Sequence, residues 1–180
     1  SSSAGAGLEG SVAHVAGQKV FTGPLSAANA KAVMERFPYT APRPHRGQPF
    51  TFGLGDRLGE ASRGHIHSLR GRGVFPVLAQ QSMRELGLTG RTYEEVLAAA
   101  AFAVFEERYM DGYGADGDHL KKAEEIRYAL DCGYTMITLD CSEHIDNTVS
   151  GMGDSDVAER YAALPEDLRL HYESKYLDRT

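Results

Sequence analysis

The sequence predicts an α/β protein of the (βα)8-barrel (TIM-barrel-like) type, with only the first half of the barrel, about four βα units, in this chain. Three observations predict it. From Phe50 onward, short apolar runs alternate with amphipathic ones at strand–helix–strand spacing, the pattern of βαβ units and a parallel sheet. Each apolar run closes on polar residues: Asp56, then Gln80 and Gln81, then Asp118 with His119, then Asp140 through His144. A barrel builds its active site from the C-terminal ends of several strands. Third, a doubly wound nucleotide-binding sheet would carry Gly-x-Gly-x-x-Gly, whereas Gly53-x-Gly55 is followed by Gly59, one residue late. A complete barrel takes about 250 residues, and this chain has 180.

The elements follow in order. Residues 1–11, rich in serine, glycine and alanine, are expected to be a loose end. From Val12 to Phe37 short apolar groups alternate with small residues, and Ser26 opens a capped helix reaching Arg36. Pro38, Pro42, Pro44 and Pro49 keep the next stretch extended, because proline and the residue before it avoid helix. Residues 1–48 therefore read as an N-terminal extension with a proline-rich linker, and 49–180 as the partial barrel domain.

Strands are expected near 50–54, 74–79, 112–117 and 134–140. Pro76 makes the second of these the least regular, since proline removes a ladder donor. A weak helical pattern covers about Ala61 to Arg70. Thr92, with Glu95 three residues on, forms a capping box for a helix over Tyr93–Met110, with Val96, Leu97, Val104 and Phe105 on one face. A helix from Lys121 to Cys132 turns Ala123, Ile126, Ala129 and Leu130 inward and stops at Gly133. The strand Tyr134–Leu139 is rich in β-branched residues. Past a Gly/Asp loop, helices begin near Ser155 and at Pro165, a first-turn position.

A net charge of −6 argues against a nucleic-acid or anionic-membrane partner and suits a cytoplasmic enzyme. No apolar run approaches the roughly 20 residues of a membrane span, and the N-terminus lacks the pattern of a secretory signal. Cys132 and Cys141 are too few for a disulfide framework and lack metal-ligand spacing, so both are expected reduced. The chain begins Ser-Ser-Ser, which implies processing or a piece of something longer.

The chemistry concentrates in Gly112–Lys121, with three glycines, two acids and a histidine. Alternate glycines weaken a strand and need a reason such as close approach of a ligand. An acid beside a histidine can supply a general base and a metal ligand from one turn. By itself the run Asp116-Gly-Asp-His119 reads first as a turn capping the helix that starts near Lys121, and Asp116 equally as an outward turn residue. His65 and His67 read as surface histidines, and Ala98–Ala101 as close packing on the sheet.

Four runs together resemble the tagaturonate/fructuronate epimerase family. They are Phe52-Gly-Leu-Gly-Asp-Arg-Leu-Gly59; Pro76-Val-Leu-Ala-Gln-Gln-Ser82 with Arg84-Glu85-Leu86; Gly112 through Lys121; and Gly133-Tyr-Thr-Met-Ile-Thr-Leu-Asp140 with Ser142-Glu143-His144. The resemblance spans about Pro49 to Asp146. It implies a metal-dependent (βα)8 sugar-acid epimerase with Asp118 as proton acceptor and His119 as ligand of a divalent metal (Zn, Mn, Co or Ni). The implied partner is a small keto sugar acid, with Asp56, Gln80, Gln81, Asp140, Glu143 and His144 as candidate substrate contacts. Homo-oligomerisation stays open. The family's proton donor and other metal ligands lie further along than this sequence reaches. Two other readings stand beside it: a metal-dependent class II aldolase-like lyase, and a non-catalytic sugar-acid-binding fragment.

The two keto acids differ at a hydroxyl-bearing carbon not directly next to the ketone, so removal of an α-proton cannot invert it. Retro-aldol cleavage can: a base takes the hydroxyl proton, a metal stabilises the developing oxyanion, and the bond reforms on the other face. Asp118 and His119 are neighbours and would point to opposite faces of an ideal strand. Both reach one site only if the strand breaks there, which Gly117 would ease.

Overall fold

Ala16 and Gly17 both take positive φ, 49° and 76°, and this turn makes a hairpin that the sequence pattern does not announce. In the computed structural model, which describes residues 7–177, β1 (Ser11–Val15) pairs antiparallel with β2 (Gln18–Thr22) around it. Two positive φ values give a loop twist that matches the twist of the flanking strands. Helix α1 (Ala27–Arg36) follows, with the Ser26 hydroxyl accepting from the Asn29 amide as expected. The loose end expected over residues 1–11 lies mostly outside the described residues.

The proline-rich stretch is held rather than free. Thr40 is fully buried, Tyr113 donates its hydroxyl to the Thr40 carbonyl over 2.8 Å, and the Arg43 amide donates to the Tyr113 carbonyl over 2.8 Å. Compact units divide after Asp140, into Ser1–Asp140 and Cys141–Thr180.

Four strands form one parallel sheet in chain order: β3 (Thr51–Gly55), β4 (Phe75–Ser82), β5 (Gly114–Leu120) and β6 (Met136–Leu139). All four lie near where the sequence places them, but β4 and β5 run on to Ser82 and Leu120, past the expected ends at 79 and 117. Parallel pairing puts their C-terminal ends on one side, so Asp56, Gln80, His119 and Asp140 share that side. The sheet of the described residues is four strands wide, with β3 and β6 as its edges. Pro76 is tolerated in a central strand because it lies opposite Phe52 alone, and pairing with β5 begins only at Val77.

Helices α2 (Ser62–Leu69), α3 (Met83–Thr89), α4 (Tyr93–Glu106) and α5 (Ala123–Cys132) connect the strands. The core joins Ile66 of α2, Leu78 and Ala79 of β4, Leu97 and Val104 of α4, and Ala129 of α5. Each large side chain among these contributes roughly 1.5–3 kcal/mol by burial. Ala98, Ala100, Ala101 and Ala103 of α4 lie buried, as expected for close packing, whereas Ala99 is only half-buried. Thr92 and Glu95 form the capping box, but α4 ends at Glu106 rather than Met110, and Arg108 takes φ 48°. Helix α3 has a second capping box, Ser82 with Glu85. Gly133, at φ 100°, stops α5 as the sequence predicts.

In the Cys141–Thr180 unit, α6 (Asp154–Ala162) and α7 (Glu166–Tyr172) follow a turn where Asp146 accepts from Thr148 and Arg160. Pro165 sits at the cap of α7, one position before its first turn. Among the described residues no helix is long and apolar enough to cross a membrane.

Candidate active site at the strand ends

Gly117 sets which way β5 faces. A Cβ there would lie 2.9 Å from Leu120 Cδ1, 3.1 Å from Ala129 Cβ and 3.1 Å from Ile137 Cδ1, so this position looks toward α5. Alternation then turns Asp116 and Asp118 to the opposite face. The next residue breaks the alternation: His119 takes φ 53°, and the β5–β6 register shifts between Gly117 and Leu120. His119 is thus the extra residue of a bulge, and Leu120 returns to the helix side, 1 % exposed. The break expected at Gly117 occurs two residues later, at a histidine in the left-handed region. Gly117 is needed instead for close packing.

Because of the bulge, Asp118 and His119 stand together. Nδ1 of His119 lies 2.8 Å from Oδ1 of Asp118, with side-chain exposures of 64 % and 21 %. With the proton on Nδ1 donated to the carboxylate, Nε2 presents its lone pair outward. A histidine backed in this way by a carboxylate is the usual arrangement of a metal ligand. Among the described residues no three His, Cys, Asp or Glu side chains gather into a metal-holding group. Of the donors a divalent metal takes, this strand end offers one imidazole nitrogen, Nε2 of His119.

Asp116 is what the sequence reading missed. It is fully buried; its Oδ2 accepts from the Thr138 hydroxyl over 2.7 Å and from Gln80 Nε2 over 3.3 Å. Its Oδ1, also buried, has no hydrogen-bond partner among the described residues. Burial pushes this carboxyl above the ordinary range, and the charge of Asp118 adds to the effect against the Thr138 and Gln80 hydrogen bonds. The signal available in sequence was its spacing of two from Asp118, which places both on one face.

The other candidate residues divide. Gln80 faces the same side as Asp116, and Gly53 of β3 leaves room for it: a Cβ there would lie 2.8 Å from Gln80 Oε1. Gln81 faces the helices, fully buried, and donates Nε2 to the Asp56 carbonyl over 2.6 Å. The Asp56 carboxylate accepts from the amides of Gly59, Glu60, Ala61 and Ser62 at 2.8–3.1 Å, and from the Ser62 hydroxyl, so both oxygens are engaged in capping α2. Asp140 follows β6 and lies 3.8 Å from the Lys121 ammonium. Glu143 and His144 belong to the Cys141–Thr180 unit, exposed on a 3-10 turn, Ser142–His144.

A cleft of about 940 Å³ in the first unit is lined by Leu25, Gly59, Arg63, Arg91 and Phe102, among others. It contains none of the strand-end groups. Volume alone does not mark the chemistry here.

These features define an α/β protein with a parallel sheet whose acid–histidine pair stands at the C-terminal ends of its strands. A family profile described as tagaturonate epimerase matches residues 6–180, and the chain belongs to that family. A tagaturonate/fructuronate epimerase from Thermotoga maritima is 43 % identical over 119 residues, which cover 66 % of this chain and 24 % of that protein. Crystal structures of the fructuronate-tagaturonate epimerase UxaE from Cohnella laeviribosi, native and with one glycerol, match with a TM-score of 0.85 at 53 % identity. They cover 97 % of this chain, which spans 35 % of theirs.

Proposed function

We propose that this chain forms part of a (βα)8 barrel that epimerises tagaturonate and fructuronate, with Asp118 as general base and His119 as one metal ligand. The observation that carries the reading is the bulge at His119, which sets a carboxylate and an outward-facing imidazole side by side at a strand end. Family membership and the similarity to named epimerases support the substrate class. The open edges β3 and β6, in a sheet that runs in chain order, suit a barrel completed by further strands.

In this reading Asp118 takes the proton of the substrate hydroxyl. The adjacent carbon–carbon bond breaks as that oxygen becomes an aldehyde, and the bond's electron pair passes to the ketone-bearing fragment as an enolate. The aldehyde turns its other face, the enolate carbon re-forms the bond, and Asp118 returns the proton to the new alkoxide. Atoms and charge balance without an external oxidant. A divalent metal on Nε2 of His119 would supply Lewis-acid stabilisation of a substrate oxygen. The hydrogen bond to Asp118 holds the imidazole tautomer and direction that this requires. Gln80, on the same sheet face, would meet substrate hydroxyls, and Asp140 follows the adjacent strand.

The test is made in the longer protein that contains this chain. Asp118→Asn keeps shape and hydrogen bonding but cannot take the proton, so bound metal is retained while epimerisation falls by roughly 100-fold or more. Loss of metal and activity together would mean that the Asp118 carboxylate holds the metal, directly or through His119, and would overturn its assignment as the base. Loss of neither would reduce the stretch to a turn.

A further inference from the structure

We propose that Asp116 is a positioning residue: with Gln80 and Thr138 it locks β4, β5 and β6 at one level, and this level sets the strand ends that carry Asp118 and His119. The inference rests on the proposed role of those two residues. Its basis is the buried row itself. Thr138 on β6 and Gln80 on β4 converge from either side on the same oxygen of Asp116 on β5. Gly53 on β3 clears the space into which the Gln80 amide extends. The row therefore reaches across all four strands of the sheet.

Its place matters. Asp116 is one same-face step before Asp118 and three residues before the His119 bulge. Above Asp116 the β5–β6 ladder loses its register, between Gly117 and Leu120. The pairing of Asp116 with Met136 and of Gly117 with Ile137 is the last regular stretch before that slip. Thr138 lies within the irregular segment, and its hydroxyl reaches back to Asp116, so it ties that segment to the last regular pairs. A bulge persists only where its surroundings over-determine it, and this hydrogen bond supplies that determination from the interior face.

The row acts through acceptance of two hydrogen bonds rather than through charge. An ionised carboxylate would leave its buried second oxygen charged and undonated, a costly state. An amide at the same place presents an oxygen to Thr138 and Gln80 equally well. Asparagine therefore substitutes for Asp116, and leucine does not.

The experiment uses the longer protein, with Zn²⁺ as the metal probe and kcat and KM for keto-acid epimerisation on the same preparations. Thr138→Val, which removes only the hydroxyl, and Asp116→Leu are each expected to weaken Zn²⁺ binding and lower kcat by about tenfold. In Thr138→Val, which leaves the Gln80–Asp116 hydrogen bond in place, KM should stay within about twofold, because the loss is not of substrate contact. Asp116→Asn should hold both quantities within about threefold of the parent, a rescue that marks an uncharged acceptor. If Asp116→Leu does not fold, Thr138→Val decides by the same readouts. Parent-like Zn²⁺ binding and kcat in Thr138→Val would overturn the proposal. So would an Asp116→Asn variant as damaged as Asp116→Leu, or a change confined to KM. A parent that epimerises neither acid would sink the functional reading instead, while Zn²⁺ affinity would still decide this one.

Discussion

Gly117 of β5 and Ala129 of α5 meet so closely that a Cβ on the glycine would stand 3.1 Å from the alanine's. That contact fixes which face of β5 turns toward the helices, and hence which face carries Asp116 and Asp118. Three atoms crowd the position, from Leu120, Ala129 and Ile137. Gly117→Ala is therefore expected to destabilise the protein by about 1–3 kcal/mol through overpacking. Chemical denaturation of parent and variant measures it, and an unchanged midpoint would refute the packing argument.

The left-handed backbone at His119 leads to a second expectation. An L-residue at φ 53° carries a conformational penalty that glycine does not. His119→Gly should therefore be more stable than His119→Ala by about 1 kcal/mol. Equal stabilities would mean that the bulge relaxes once the imidazole is gone.

A third follows from Asp116. Its folded-state pKa is raised by burial, so its favourable contribution belongs to the protonated form. That contribution is fully present below the unfolded value, about 3.9, and is lost as pH rises through the folded value. Asp116→Asn, always neutral, should match the parent near pH 3 and exceed its stability increasingly toward neutral pH. Thermal melts across that range check the sign, and a parent that gains on the variant as pH rises would contradict it.

The two cysteines should differ in reactivity. Burial and a hydrogen bond with Glu94 push the Cys132 thiol up to about 12, whereas Cys141 is exposed. Since the thiolate is the nucleophile, iodoacetamide at pH 8 should label Cys141 and leave Cys132 intact. Peptide mass spectrometry reads the outcome, and equal labelling would disprove it.

Much of this was legible in the sequence because the signals were local. The four strands were visible as apolar runs ending in polar residues, α4 as the box of Thr92 and Glu95, and the end of α5 as Gly133. Helix α3 carried the same kind of box in Ser82 and Glu85 but was passed over, because it begins directly where β4 ends. The hairpin at Ala16 was hidden by an alanine in a turn that asparagine or aspartate usually marks. At the site, the pairing of Asp118 with His119 was expected, but not its cause. A bulge is a property of two strands in register, and no single segment encodes it. The burial of Asp116 was likewise set by partners far along the chain, Gln80 and Thr138, whereas the capping role of Asp56 rests on nearby amides from Gly59 to Ser62.

Sheet order has a consequence for how the chain assembles. Because β3, β4, β5 and β6 lie side by side in the sequence they follow, each new strand docks against the one made just before it. No strand must wait for a distant partner or be threaded between two already paired. Loop closure at every step spans only one connecting segment with its helices, which keeps the search short for a parallel sheet, a class that otherwise folds slowly. The sheet grows from one side, and the Asp116 row closes only when β6 brings in Thr138. Among the four described strands, β6 thus completes the row that fixes the ends of the strands before it in the sequence.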